Sequence, residues 1–232
     1  MWSNALVRSN SAPQTWLPCS QLVVQVATPM PGWPAHCCGG GAGNLLSIVR
    51  CHTLSIPEIT LMNKIIDDLD GVPRKIGDLL FAYFNESDQQ KNALRGLLAA
   101  INLSLISQSV NQSTDSPPIR RYFLLVCGAA WVGNMGGNDS SVEITALAAP
   151  VNHEARLDEL TNHDAFQHRV QLGDIVMSEK MYGLLQGQIP NLVSAQINLS
   201  DLGLAVRNFP QVQELRLVRP DQQLAGRVQS LH

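Results

Sequence analysis

Two amphipathic helices separated by a short apolar segment constrain the fold of this chain more than any other feature. The first helix is predicted over residues 56–69, where isoleucine, methionine and leucine recur every three or four residues. The second is predicted from a cap at Asp88 to residue 110, with leucine and isoleucine at the same spacing. Each helix has an apolar face that needs a partner, so we expect a sheet that both helices cover.

The segment between the helices predicts the start of that sheet. Residues 74–84 favour strands on both sides of Gly77-Asp78, which suggests two strands joined by a tight turn. Further strands are predicted at 122–127 and 142–149, and a third helix at 151–160.

With an opening strand at 22–27, the order of elements becomes βαββαβ. This order predicts an α+β fold of the ferredoxin-like kind, an antiparallel sheet with helices on one face. Short strands around one short helix follow from residue 174 onward.

One domain accounts for most of the chain, because 232 residues are too few for two domains of average size. We predict the domain over residues 51–220 and a C-terminal tail over 221–232. Residues 1–50 differ in composition: the stretch from Ser9 to Val49 has five prolines and no Asp, Glu, Lys or Arg. It cannot form a regular helix, and it is either packed against the domain or a poorly ordered leader.

Composition excludes several classes of partner and location. A net charge of −3 gives no electrostatic footprint for nucleic acid, so no nucleic-acid partner is expected. The five cysteines are odd in number and irregularly spaced, which favours a reducing, cytoplasmic location. The longest candidate membrane segment, 22–27, is too short to span a bilayer, so we expect no membrane span.

Three sequence blocks, in this order, carry the functional signal. They are Lys75-Ile-Gly-Asp78 within residues 72–84, Cys127-Gly128 with Val132-Gly-Asn-Met-Gly-Gly137, and Asn152-x-x-x-Arg156-Leu157. Their order and spacing resemble the class III adenylate and guanylate cyclases, over roughly residues 54 to 220. The resemblance implies the nucleotide cyclase fold and a phosphorus-oxygen lyase of intracellular signalling.

The family resemblance also implies a reaction, a partner and cofactors. The substrate would be ATP, or less readily GTP, converted to cyclic nucleotide and pyrophosphate. The site would form between two copies of this chain, or between this chain and another cyclase domain. Mg²⁺ or Mn²⁺ ions held by two carboxylates would stabilise the attacking and leaving oxygens.

Site residues follow from the resemblance position by position. Asp78 matches the second metal-binding carboxylate, Asn152 the residue that orients the ribose, and Arg156 the residue that stabilises phosphate charge. Arginine suits this role because its guanidinium group donates two hydrogen bonds to a phosphate.

Three further residues match positions that bind the nucleotide. Thr145, seven residues before Asn152, matches a base-reading position and favours ATP. The family's base-recognising lysine falls on Arg74, with Lys75 one place later. Because adjacent strand residues face opposite sides of a sheet, Lys75 cannot simply replace it.

Departures from the family pattern leave two functions open. The family's opening strand supplies the first metal carboxylate, and Thr28 stands at that position here. Ala148-Ala149-Pro150 replaces the usual Gly-Asp before the third block. The chain is therefore either a nucleotide cyclase or a cyclase-like domain that has lost turnover and serves in dimerisation or nucleotide sensing.

Overall fold

The computed structural model describes residues 19–26, 47–50, 56–76, 79–84, 88–113, 120–128, 131–134, 144–147, 149–171 and 173–232. The helices are α1 (Ile56–Asp67), α2 (Gln89–Ser113), α3 (Ala149–Leu160), α4 (Asp164–Gln167), α5 (Glu179–Gln186) and α6 (Gln222–Gln229). The strands are β1 (Cys19–Val26), β2 (Ser47–Arg50), β3 (Gly71–Ile76), β4 (Leu79–Phe84), β5 (Arg120–Cys127), β6 (Trp131–Asn134), β7 (Ile144–Leu147), β8 (Ile175–Ser178), β9 (Ala195–Asn198) and β10 (Glu214–Val218).

Within these residues, eight strands form one sheet in the order β2-β4-β1-β5-β8-β10-β9, with β3 also paired to β4. The hairpin predicted at 74–84 is present as β3 and β4, in which Arg74 lies opposite Phe81 and Lys75 opposite Leu80. Strands β6 and β7 form a separate antiparallel pair with Thr145 opposite Gly133. The predicted α+β fold, with its succession of helix, hairpin, helix and strand, is confirmed.

Strand directions depart from the fully antiparallel sheet that we expected. Strand β1 runs parallel to both β4 and β5, and β5 runs parallel to β8, so the sheet is mixed. The chain between β5 and β8 contains α3 and α4, and a crossover of this kind makes neighbouring strands parallel.

The strand that leads into α1 is β2, not the predicted strand at 22–27. Strands β2 and β3 are each antiparallel to β4, so they run in the same direction and α1 connects them. This is the direction that a βαβ unit requires of its first strand. Strand β1 at Cys19–Val26 lies between β4 and β5 but runs the opposite way.

One face of the sheet is covered by α1, α2, α5 and α6, so the two helices predicted to share a face do so. Asp88 caps α2 as predicted, because its Oδ1 accepts hydrogen bonds from the backbone N–H groups of Gln90 (2.8 Å) and Lys91 (3.2 Å). Residues 221–232, predicted as a tail, contain α6, whose Leu224 and Val228 are buried in this core. This segment therefore belongs to the packed domain.

By length and composition alone, the stretch 89–112 of α2 could cross a membrane. In this fold 67% of the most apolar part of this stretch is buried inside the protein, as in the central helix of a hydrophobic core.

The opposite face of the sheet carries α3 and α4. Side chains of strands alternate between faces, and Tyr83, Tyr122 and Leu124 point to this side, where they pack with Leu157 and Leu160 of α3. The helix that holds Asn152 and Arg156 is thus separated by the sheet from α1 and α2.

Candidate functional site

Helix α3 brings two of the predicted site residues together. Pro150 lies in its first turn, where a missing backbone N–H breaks no helical hydrogen bond. Leu157 and Leu160 are 1% and 3% exposed, which fixes the buried side of the helix. Asn152 is exposed and Arg156 half-buried. Because they are four residues apart, they are neighbours on the helix surface.

A second arginine meets Arg156 at one carboxylate. Arg156 Nη1 and Arg207 Nη2 both donate hydrogen bonds to Glu159 Oε1, the latter at 2.8 Å. The side chains of Arg156 and Arg207 are 29% and 62% exposed, so both guanidinium groups can be reached from solvent. Two guanidinium groups directed at one oxygen form an arrangement suited to a phosphate.

Packing against α3 holds Arg207 in place. Its neighbour Val206 is 2% exposed, and the Phe209 ring stacks on the His153 ring of α3 with 4.8 Å between the ring centroids. Asn208 between them adopts a positive φ of 67°, in the left-handed region that asparagine tolerates better than most residues. The segment is therefore anchored on both sides of Arg207.

Sequence reasoning missed Arg207. The ion pair with Glu159 joins residues 48 positions apart. The surrounding Val206-Arg207-Asn208 has no periodic pattern or motif that distinguishes this arginine from the chain's other arginines. Only the fold identifies it.

Arg74 lies on the same side of the sheet as α3. Its guanidinium group forms a hydrogen bond with the side chain of Tyr83, which is buried in the cluster that contains Leu157. Burial raises the pKa of the Tyr83 hydroxyl, while the charge of Arg74 and its hydrogen bond act in the opposite direction. Arg74 is thus held against the core.

The backbone positions of Lys75 and Thr145 are in β3 and β7, and their roles stay predictions. Asp78 and Thr28 lie outside the described residues. Within the described ranges, no group of three His, Cys, Asp or Glu side chains comes together in a way that could hold a metal ion. The described residues alone therefore do not fit a metal site, and Asp78 remains a predicted ligand.

A cavity of about 340 Å³ opens beside α3 at the ends of β5 and β8. Its lining includes Cys127, His153, Lys180 and the segment 211–214. Burial raises the pKa of the Cys127 thiol to about 11 and lowers the pKa of the His153 imidazole to about 4. Both groups are therefore neutral near pH 7, and the thiol is not a reactive thiolate.

Comparisons with known proteins bear on the fold. No protein-family model and no curated protein matches the sequence. The crystal structure of the adenylyl cyclase CyaB from P. aeruginosa is similar to this chain, with a TM-score of 0.52 and 20% identity over 72% of this chain and 81% of that one.

Two further solved structures resemble this chain less closely. The guanylyl cyclase Cya2 has a TM-score of 0.49 and 17% identity, over 69% of this chain and 74% of that one. The guanylate cyclase domain of RhGC from Catenaria anguillulae, in complex with GTP, has a TM-score of 0.48 and 13% identity, over 72% and 81%. The likeness to CyaB establishes the fold: this chain has the fold of a class III nucleotide cyclase catalytic domain, as its sequence predicts.

Proposed function

We propose that this domain binds a purine nucleoside triphosphate, ATP in preference to GTP, and converts it to cyclic nucleotide and pyrophosphate. The observation that carries the proposal is the meeting of Arg156 and Arg207 at one carboxylate oxygen of α3. It occurs on a fold similar to that of an adenylyl cyclase. The preference for ATP rests on Thr145.

The arginines would act on the phosphates. Arg156 and Arg207 would bind the triphosphate and neutralise the negative charge that grows on the departing pyrophosphate. Asn152 lies one helical turn before Arg156 and is assigned to the ribose. Arg74 is assigned to the base, and Lys75 stays a predicted nucleotide-binding residue whose contact is not assigned. The nucleotide would enter with Mg²⁺ or Mn²⁺, for which Asp78 is the proposed ligand.

The proposed site is shared between two cyclase domains. The family resemblance assigns Asp78 to one protomer and the pair Asn152 and Arg156 to the other, so one chain would hold only half of each site. We therefore propose a homodimer, or a heterodimer with another cyclase domain, in the cytoplasm. Sedimentation at micromolar concentration with nucleotide and Mn²⁺ tests this, and a strict monomer would contradict the homodimer.

A second candidate is a nucleotide-sensing or dimerisation domain without turnover, and one observation favours it. The strand that enters α1 is β2, with the sequence Ser-Ile-Val-Arg, and no Asp or Glu occurs between Ser9 and Pro57. The first metal carboxylate that the resemblance places on the opening strand is therefore missing from this segment under either strand assignment.

Product formation separates the two candidates. The chain is incubated with ATP or GTP and Mg²⁺ or Mn²⁺, and cyclic nucleotide and pyrophosphate are measured for the wild type, Asp78→Ala, Arg156→Ala and the control Arg227→Ala on α6. Cyclic nucleotide that disappears in Asp78→Ala and Arg156→Ala but not in the control supports the enzyme. Nucleotide binding without product supports the second candidate. If Asp78→Ala and Arg156→Ala form as much product as the wild type, the assignment of these two residues to the site is contradicted.

A further inference from the structure

We propose that Glu159 is a built-in competitor for phosphate, which occupies the arginine pair in the empty protein and weakens its affinity for the incoming triphosphate. This inference rests on the proposed function, because it concerns the same two arginines. It adds a residue that sets how strongly the site binds its substrate.

The geometry gives Glu159 the position of a bound anion. A single atom, Oε1, accepts hydrogen bonds from Arg156 on its own helix and from Arg207 in the segment before β10. A phosphate oxygen that bridged the two guanidinium groups would take the same place between them. Glu159 and a phosphate therefore compete for one location.

Exposure makes the exchange feasible. The side chain of Glu159 is 44% exposed, so its carboxylate can turn into water without being left buried and unpaired. Exposed ion pairs are individually weak because water and salt screen them. A triphosphate offers several charges and many acceptor oxygens, and it can replace the carboxylate while retaining the hydrogen bonds of both arginines.

Charge gives the direction of the effect. Arg156, Arg207 and Glu159 together carry a net charge of +1. Replacing Glu159 by a neutral residue raises this net charge to +2. The carboxylate also repels a phosphate directly. Removing its charge is therefore expected to strengthen phosphate binding by roughly threefold to tenfold at low salt, and by less at high salt.

The test uses inorganic triphosphate, which has neither base nor ribose, and measures its dissociation constant by calorimetry for the wild type and Glu159→Gln. Asp68→Asn is the matched control, since it removes one carboxylate from an exposed pair with Lys64 on the helix-α1 side of the sheet. Binding should tighten in Glu159→Gln and in the second variant Glu159→Ser, and stay unchanged in the control. Arg207→Gln in the Glu159→Gln background should abolish the gain.

Equal or weaker binding in both Glu159 variants would overturn the inference, since it would mean that Glu159 merely positions the arginines. Equal tightening in Asp68→Asn would overturn it as well, because the effect would then be one of total charge. Absence of triphosphate binding in every variant would remove the anion site itself. The proposed function fails separately: tightening as expected, with no cyclic nucleotide formed from ATP or GTP, contradicts the enzyme but not the role of Glu159.

Discussion

His153 shows how α3 uses a titratable residue as part of its packing. Its ring stacks on Phe209, and its buried Nε2 has no hydrogen-bond partner in the part of the chain that the structure describes. Desolvation disfavours the charged imidazolium, which lowers the pKa of His153 from 6.5 to about 4. The folded state therefore keeps this histidine neutral.

The pKa of His153 predicts a pH dependence of stability. Between about pH 6.5 and pH 4 the unfolded chain binds a proton at His153 that the folded chain does not, so the free energy of unfolding falls as the pH is lowered through this range. Urea unfolding at several pH values measures the effect. The decrease in the free energy of unfolding per pH unit should become smaller in His153→Phe and stay the same when the exposed His163 is replaced by Gln. An unchanged slope in His153→Phe would show that His153 is charged or solvated in the fold.

At the scale of elements, an ion pair joins α1 to the first residues of β5. Arg121 Nη2 lies 2.9 Å from Glu58 Oε1, and their side chains are 1% and 13% exposed. Among the residues that the structure describes, the Nε and Nη1 atoms of Arg121 are buried without a hydrogen-bond partner, and Glu58 is the charged group that lies against this arginine. The pair therefore links the first turn of α1 to the start of β5, which is distant from it in the sequence.

Removing Glu58 should therefore be costly. Glu58→Gln removes the carboxylate that lies against the buried Arg121, and we expect a loss of about 3–5 kcal/mol in the free energy of unfolding. The double variant Glu58→Gln/Arg121→Met should recover part of that loss. Asp68→Asn, which breaks an exposed pair with Lys64, should cost about 1 kcal/mol or less. Equal losses in both single variants, measured by urea unfolding, would contradict this account.

Some helices and strands of this fold could be predicted from the sequence and others could not. Helices α1 and α2 and the hairpin were predictable because their apolar spacing and turn residues are local signals. The direction of β1 was not predictable, because residues 19–26 carry the same apolar pattern whichever way the strand runs. The direction is set by the pairing of β1 with its neighbours β4 and β5. Strand β2, with only four residues, is too short to show a period.

The residues of the candidate site also differ in whether the sequence could identify them. Asn152 and Arg156 could be found because they share one helix at a fixed spacing. Arg207 could not be found in this way. Its position beside Arg156 depends on the burial of its neighbour Val206 and on the stacking of Phe209 on His153 of α3.

For the whole molecule, the central claim is that a domain with the cyclase fold holds a nucleoside triphosphate through Arg156 and Arg207. The direct measurement is the dissociation constant of ATP with Mg²⁺ for the wild type, Arg156→Ala, Arg207→Ala and the control Arg227→Ala, whose arginine is on α6. Loss of a charged hydrogen bond costs about 1.5–3 kcal/mol, so each of the first two variants should bind roughly 10- to 150-fold more weakly, and the control should bind like the wild type. Affinity that is the same in all four proteins, or no binding by the wild type, would contradict the account.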